Sequence, residues 1–335
     1  MTQSSPLRSG AHARALDLGE RRARRNSSRP QRVAVLIPCL NEERTVARVV
    51  DGFRAALPDA DIYVYDNGSS DGTAAVAAAA GALVRTEPRA GKGYVVRRMF
   101  ADVEADLYLL VDGDETYDAA AAPRMIDLLL EQKLDMVVGC RDTEADGAYR
   151  RGHRLGNAML TGFLARFFGA GFTDILSGYR VLSRRFVKTF PCLSSGFEIE
   201  TEMAVHALTL ELPCGEVRTA YRERPEGSSS KLRTFSDGFR ILGAMVALLR
   251  QEKPAQFFGA IGALTAIVSV IIAWPLAITY LQTGLVPRFP TAILCTGLMI
   301  IALLTFSSGL ILDSVARSRM EHRRLAYLRW GAPEE

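Results

Sequence analysis

Two apolar runs near the carboxyl terminus, Phe257 to Leu281 and Pro290 to Leu312, restrict this chain more than any other feature. Neither contains Asp, Glu, Lys or Arg, and each exceeds 20 residues. At about 1.5 Å of rise per residue, each run as a helix reaches across a hydrocarbon core of about 30 Å. A buried helix of a soluble fold is the bland alternative. Two such lengths in succession, with only Gln282 to Phe289 between them, favour a membrane hairpin. Two spans bury little surface in the bilayer, so their outer faces are open to homo-oligomer formation.

The net charge of +4 is modest but unevenly spread. Arg8, Arg14, Arg21, Arg22, Arg24, Arg25, Arg29 and Arg32 crowd the start, and Arg317, Arg319, Arg323, Arg324 and Arg329 crowd the end. The connector between the runs carries only Arg288. Lys/Arg excess marks the cytoplasmic side of a span. The expectation is therefore a multi-pass protein of the inner (cytoplasmic) membrane, with both chain ends in the cytoplasm. Basic ends also suit anionic lipid headgroups. No aromatic interleaving or nucleic-acid motif accompanies the arginines, which argues against nucleic acid as a partner. The five cysteines are scattered without CxxC or zinc spacing, the usage of reduced thiols in a cytosolic domain. Residues 1–31 are Ser/Arg-rich without an apolar stretch, which predicts a disordered basic arm rather than a secretory signal.

Residues 32–233 are long enough for one α/β domain. Val33 to Pro38, Ile62 to Tyr65, Ala82 to Val84, Leu107 to Val111 and Met136 to Val138 read as strands. Helical patterns alternate with them, opening near Asn41 (a candidate cap), after Thr73, at Gly91-Lys92-Gly93 and near Pro123. That alternation predicts a parallel sheet wound on both faces, with ligands beyond the carboxyl ends of its strands. Gly152 to Phe168 and Gly196 to Leu210 also read as helices. Phe235, Phe239, Leu242, Met245, Val246 and Leu249 recur at helical spacing in 234–256. They predict an amphipathic helix lying on the bilayer or packed on the soluble core. The spans occupy 257–312, and 313–335 is a basic cytoplasmic tail.

The polar residues cluster at the predicted strand ends. Asp112-Gly113-Asp114 with Glu115 makes an anionic group that calls for a cation. Hard oxygen ligands suit Mg²⁺ or Mn²⁺, which takes its remaining ligands from waters and a diphosphate. Asp66 and Asn67 can address a nucleobase edge or ribose hydroxyls, and Asp71-Gly72-Thr73 reads as a capping turn. Lys92 between two glycines can approach a phosphate closely. No G-x-G-x-x-G or P-loop is present, so dinucleotide and ATP motifs are unsupported.

Pro38-Cys39-Leu40-Asn41-Glu42, Asp66 to Thr73, Gly91-Lys92-Gly93 and Asp112-Gly113-Asp114, in that order, resemble glycosyltransferase family 2 with its GT-A (Rossmann-like) α/β fold. Val138 to Arg141, Thr173 to Arg180, Gly196 to Glu200 and Arg224 to Leu232 narrow the resemblance. They are similar to the polyprenyl-phosphate members, which include dolichol-phosphate mannose synthases and bactoprenol glucosyltransferases. The resemblance implies an inverting transfer of sugar from a UDP- or GDP-linked donor to a polyprenyl phosphate. It implies that Asp66 binds the base, with Pro38, Leu40 and Glu42 in the same pocket, and that Lys92 serves the nucleotide-sugar. Asp112 and Asp114 would hold the diphosphate through Mg²⁺ or Mn²⁺, with Thr116 where some members place a further ligand. Asp174 would face the sugar or the reacting centre. Arg141, with one or two of Arg150, Arg151 and Arg154, would grip the acceptor phosphate, and Arg224 and Lys231 would close over the diphosphate. A lipid monophosphate is already anionic, so the task is to bring two anions together rather than to make a nucleophile.

Three other readings compete. A processive polysaccharide synthase would need more spans and a Gln-x-x-Arg-Trp motif, and Arg329-Trp330 lacks the Gln. A transporter would place charge within its spans. A non-catalytic nucleotide-sugar-binding scaffold would not need the acidic cluster.

Overall fold

The computed structural model describes residues 31–142, 151–169, 171–222 and 234–332, with the backbone alone for 142, 151–158 and 234–240. Its first half alternates strand and helix as the sequence predicts: β1 (Val33–Cys39), α1 (Val46–Ala56), β2 (Asp61–Asp66), α2 (Thr73–Ala79), β3 (Leu83–Thr86), α3 (Lys92–Asp102), β4 (Leu107–Leu110), α4 (Ala122–Glu131) and β5 (Met136–Asp142). Then follow α5 (Arg151–Phe168), β6 (Arg180–Ser183), α6 (Arg184–Thr189), α7 (Ile199–Leu210) and β7 (Cys214–Ala220). Among the described residues, seven strands form one sheet, in the order β3-β2-β1-β4-β6-β5-β7. Alternate residues of the central strands feed two apolar layers. Ala34, Leu36, Tyr108 and Leu110 join one, while Val35, Ile37, Leu107 and Leu109 join the other.

The sheet is mixed, not parallel as predicted. β6 runs antiparallel to both β4 and β5. Helix α5 packs on helices α7 and α8 (Thr234–Glu252) instead of crossing back over the sheet. The chain therefore re-enters the sheet at the edge where β5 leaves it, and must run the other way. β7 and α6 had no clear sequence signal: Cys214–Ala220 is an edge strand with little apolar run, and Arg184–Thr189 is only 6 residues long. Helix α1 begins at Val46, later than the predicted start at Asn41. Asn41 is left-handed (φ 52°) and joins two loops: its N–H donates to Ser69 Oγ, and its Oδ1 accepts from the Ser70 N–H.

Helices α9 (Pro254–Thr283) and α10 (Phe289–Tyr327) are long and apolar enough to cross a membrane, and most of their surface is uncovered. They pack closely through small residues. Gly262 lies against the Ala302 carbonyl, Gly309 lies against Phe258, and Ser269 Oγ donates to the Cys295 carbonyl at 2.8 Å. Leu264, Ile271, Trp274, Leu303 and Ile311 point outward. α10 continues beyond Leu312 and docks on the α/β domain. There Tyr327 Oη donates to Asp135 at 2.8 Å, and Arg323 pairs with Glu252 at 2.9 Å. Helix α8 packs on the soluble core through Ile241, Met245 and Leu249, while Leu242 and Val246 are exposed.

Candidate active site

The carboxyl ends of β1, β2, β4 and β5 and the beginning of β6 meet at one edge of the sheet. A cavity of about 360 Å³ opens there. Pro38, Leu40, Glu42, Lys92, Asp112, Asp114 and Arg141, all singled out from sequence, line it together.

Asp112-Gly113-Asp114 leaves β4 into this cavity. A Cβ on Gly113 would sit 2.5 Å from Cys39 Sγ, so only glycine lets the loop pass so close to β1. Thr45 Oγ1 ties the same loop down by donating to the Gly113 carbonyl at 2.7 Å. Asp114 is buried, and its Oδ1 accepts from both the N–H and the Oγ1 of Thr116. Thr116 therefore serves as an orienting partner of Asp114. Asp112 is part-exposed, and its Oδ1 lies 2.5 Å from Lys92 Nζ. Among the described residues, no group of three His, Cys, Asp or Glu side chains is arranged to hold a metal by itself. Two carboxylates on one loop suit Mg²⁺ or Mn²⁺, which binds through one or two carboxylates and completes its shell with phosphate and water. The donor set fits such an ion and not a closed structural site.

Arg141, at the end of β5, is held by Asp174. Its Nε and Nη2 donate to the two carboxylate oxygens at 2.7 Å each, and both side chains are nearly buried. Its guanidinium lies 5.5 Å from the centre of the Tyr221 ring. Asp174, expected to face the sugar, is not among the residues lining the cavity and instead anchors Arg141. The turn carrying Asp174 is braced by fully buried Arg180, whose Nε and Nη2 donate to the Ser177 and Ile175 carbonyls at 3.0 and 2.8 Å. Burial lowers the Arg180 pKa from its usual value. The same turn brings Gly178 beside Asp112, where a Cβ would lie 2.5 Å from Asp112 Oδ2.

Lys92 is not a lone charge aimed at solvent. Its ammonium contacts Asp112 and Glu200 at 2.5 Å each. Burial disfavours the charged form, but the two carboxylates outweigh it and raise the Lys92 pKa. Glu200 lines the cavity from the first turn of α7, and burial pushes its carboxyl up against the opposing pull of Lys92. In sequence it stood out only as the last residue of the Gly196 to Glu200 segment, with no role attached. Tyr117 and Tyr221 also line the cavity, and their phenol pKa values are raised by burial.

Asp66 and Asn67, expected to address the nucleotide, make different contacts. Asp66 Oδ2 accepts from the Gly68 and Ser69 N–H groups at 3.2 and 3.1 Å. Its Oδ1 is buried with no partner among the described residues. Asn67, expected to read base or ribose, donates instead to the Glu87 and Arg89 carbonyls and accepts from the Gly91 N–H. Its amide staples the loops after β2 and β3 together. Arg150, Arg224 and Lys231 lie outside the described residues, as do the side chains of Arg151 and Arg154.

Residues 34–190 match the family described as Glycosyl transferase family 2. The chain is 57% identical over 123 residues to Protein RfbJ of Shigella flexneri, covering 36% of this chain and 95% of that protein. It is 37% identical over 235 residues to Glycosyltransferase AglJ of Haloferax volcanii, covering 70% of this chain and 77% of that protein. A more distant relative, the Dolichyl-phosphate hexose transferase of the same organism, is 26% identical over 66% of this chain and 95% of its own length. Among solved structures, glucosyl-3-phosphoglycerate synthase from Mycobacterium tuberculosis, in complex with Mn²⁺, UDP-glucose and phosphoglyceric acid, superposes with a TM-score of 0.53. It has 22% identity and covers 69% of this chain and 83% of that one. At that identity the likeness concerns the fold, which is GT-A-like.

Proposed function

Since this chain belongs to glycosyltransferase family 2, we propose that it moves a hexose from a UDP- or GDP-linked donor to a polyprenyl phosphate. The observation that carries this reading is one cavity lined by both Asp112-Asp114 carboxylates and the Arg141 guanidinium, in a chain with two membrane-length apolar helices. Carboxylates and a guanidinium lining one cavity suit a reaction between two anionic substrates. The dolichyl-phosphate hexose transferase likeness supports the lipid acceptor, and the Mn²⁺ and UDP-glucose of the structural neighbour support the donor and the ion.

Asp112 and Asp114 would hold Mg²⁺ or Mn²⁺, which neutralises charge on the departing diphosphate when bound. Asp66 is not among the residues lining the cavity, but its buried Oδ1 has no partner among the described residues and is suited to accept from a nucleobase N–H. Pro38, Leu40 and Glu42 would flank that base. Arg141, oriented by Asp174, would draw the acceptor phosphate into line, with Arg150, Arg154, Arg224 and Lys231 as further candidates for the two phosphates. A phosphate oxygen of the lipid then attacks the anomeric carbon as the bond to the nucleoside diphosphate breaks, inverting that carbon. Positioning and electrostatic neutralisation supply the acceleration. Helices α9 and α10 would anchor the domain at the cytoplasmic face of the cell membrane, where a polyprenyl tail is confined.

The test incubates the purified full chain in detergent with a panel of nucleotide-sugars, with and without undecaprenyl phosphate. The expected result is a sugar-linked lipid phosphate, with nucleoside diphosphate release that depends on the lipid. Transfer to a water-soluble acceptor alone, or release independent of lipid, would refute the assignment.

A further inference from the structure

Glu200 is buried at 4% exposure, yet it lines the cavity. Its Oε1 sits on Lys92 Nζ, while its Oε2 is buried and has no hydrogen-bond partner among the described residues. A carboxylate oxygen kept from water without a donor is costly. Whatever fills the cavity is expected to supply that donor. Through Lys92, Glu200 is one ammonium removed from Asp112. That places it beside the diphosphate end of the proposed donor. A diphosphate offers only acceptors and negative charge, so it cannot satisfy Oε2. The sugar attached to it carries several hydroxyl donors. Phe197, whose ring lies 5.8 Å from Lys92 Nζ, lines the same cavity and offers an apolar face to a pyranose ring.

We propose that Glu200 reads the sugar: Oε1 remains on Lys92 while Oε2 accepts a hydrogen bond from one hydroxyl of the hexose being transferred. This rests on the nucleotide-sugar reading above. It makes Glu200 a specificity residue, distinct from a mere counter-charge for Lys92. The helix-borne carboxylate is held firmly enough for that task. Glu202, two residues further along α7, accepts from the Leu193 and Ser194 N–H groups at 2.7 Å each, and the Gly93 N–H donates to the Ser195 carbonyl at 3.1 Å. These bonds fix α7 against the Lys92 loop.

The experiment compares the preferred nucleotide-sugar with its monodeoxy analogues, in wild type and Glu200→Gln, by kcat/KM and by calorimetric binding. Wild type should lose about tenfold to a hundredfold for one deoxy position, the weight of a hydrogen bond to a charged group. In Glu200→Gln that discrimination should fall to within about threefold, the other positions being unaffected. Affinity for the free nucleoside diphosphate should not fall, because Lys92, relieved of one carboxylate, faces the diphosphate with more positive charge. The proposal fails if no deoxy position matters in wild type, a result that needs no variant. It also fails if Glu200→Gln keeps the discrimination, or weakens sugar-free nucleotide as much as nucleotide-sugar. Absence of any nucleotide-sugar binding by wild type would instead sink the underlying donor reading, and shows before the analogues are compared.

Discussion

Replacing Asp174 by Asn separates two roles for that residue. Asp174 binds Arg141 by two bonds of 2.7 Å, and the two side chains are only 8% and 11% exposed. Removing one partner of a buried pair costs about 3–5 kcal/mol, because the remaining charge is left uncompensated. Asn keeps the shape and one acceptor oxygen, so the expected loss is about 2–3 kcal/mol. At about 2–4 °C per kcal/mol for a domain of this size, Tm should fall by about 5–10 °C. Freed of its anchor, Arg141 should meet the acceptor phosphate poorly and raise the apparent KM for polyprenyl phosphate, with a smaller effect on kcat. Arg141→Ala should raise the same KM. The double variant should then be little worse than either single one, with a coupling of about 1–3 kcal/mol in the cycle. The assay is lipid-dependent transfer and thermal melting of all four proteins. Additive effects, or a collapse of kcat with the lipid KM unchanged, would refute the view that Asp174 acts through Arg141 and would return it to the reacting centre.

Four further outcomes follow from particular contacts. Chelation of divalent ions should abolish transfer and added Mg²⁺ or Mn²⁺ restore it, with Asp114→Ala about 10²-fold slower; turnover indifferent to both would remove the metal role. Gly178→Ala places a methyl within contact of Asp112 Oδ2 and Lys92 Nζ. It should therefore cut turnover by about tenfold or more while a melting curve stays close to wild type. His206 is buried against Phe186 and Phe190, and burial lowers its pKa to about 3. The unfolded chain takes up a proton near pH 6.5 that the native state refuses, so stability is full above that pH. It should fall by up to about 1.4 kcal/mol per pH unit as pH drops toward 3, measured by denaturant midpoints. His206→Gln should flatten that slope. Tyr327→Phe removes the bond to Asp135, and should lower stability by about 1 kcal/mol without changing the KM for nucleotide-sugar.

Short-range signals were legible in the sequence. The two uncharged runs specify membrane-length helices, because length and composition alone set what a bilayer can accept. The apolar runs at Val33, Ile62, Leu107 and Met136 specify strands, and the acids following Leu107 to Val111 mark a ligand edge. Resemblance then placed Pro38, Leu40, Glu42, Lys92, Asp112, Asp114 and Arg141 in what the structure makes one cavity. Partner choice was not legible. Asp174 lies 33 residues from Arg141, Lys92 meets a glutamate on a different helix, and Asn67 joins the loops after β2 and β3. None of these pairings leaves a periodic mark in the chain. The Arg141 pairing exists because β6 reverses direction, which carries Gly178 to Asp112 and holds the turn bearing Asp174 against β5. Local pattern determined most of the helices and strands and the two membrane-length helices. Only tertiary structure decided which buried charges neutralise one another, since that depends on strand order and on which groups lose their water together.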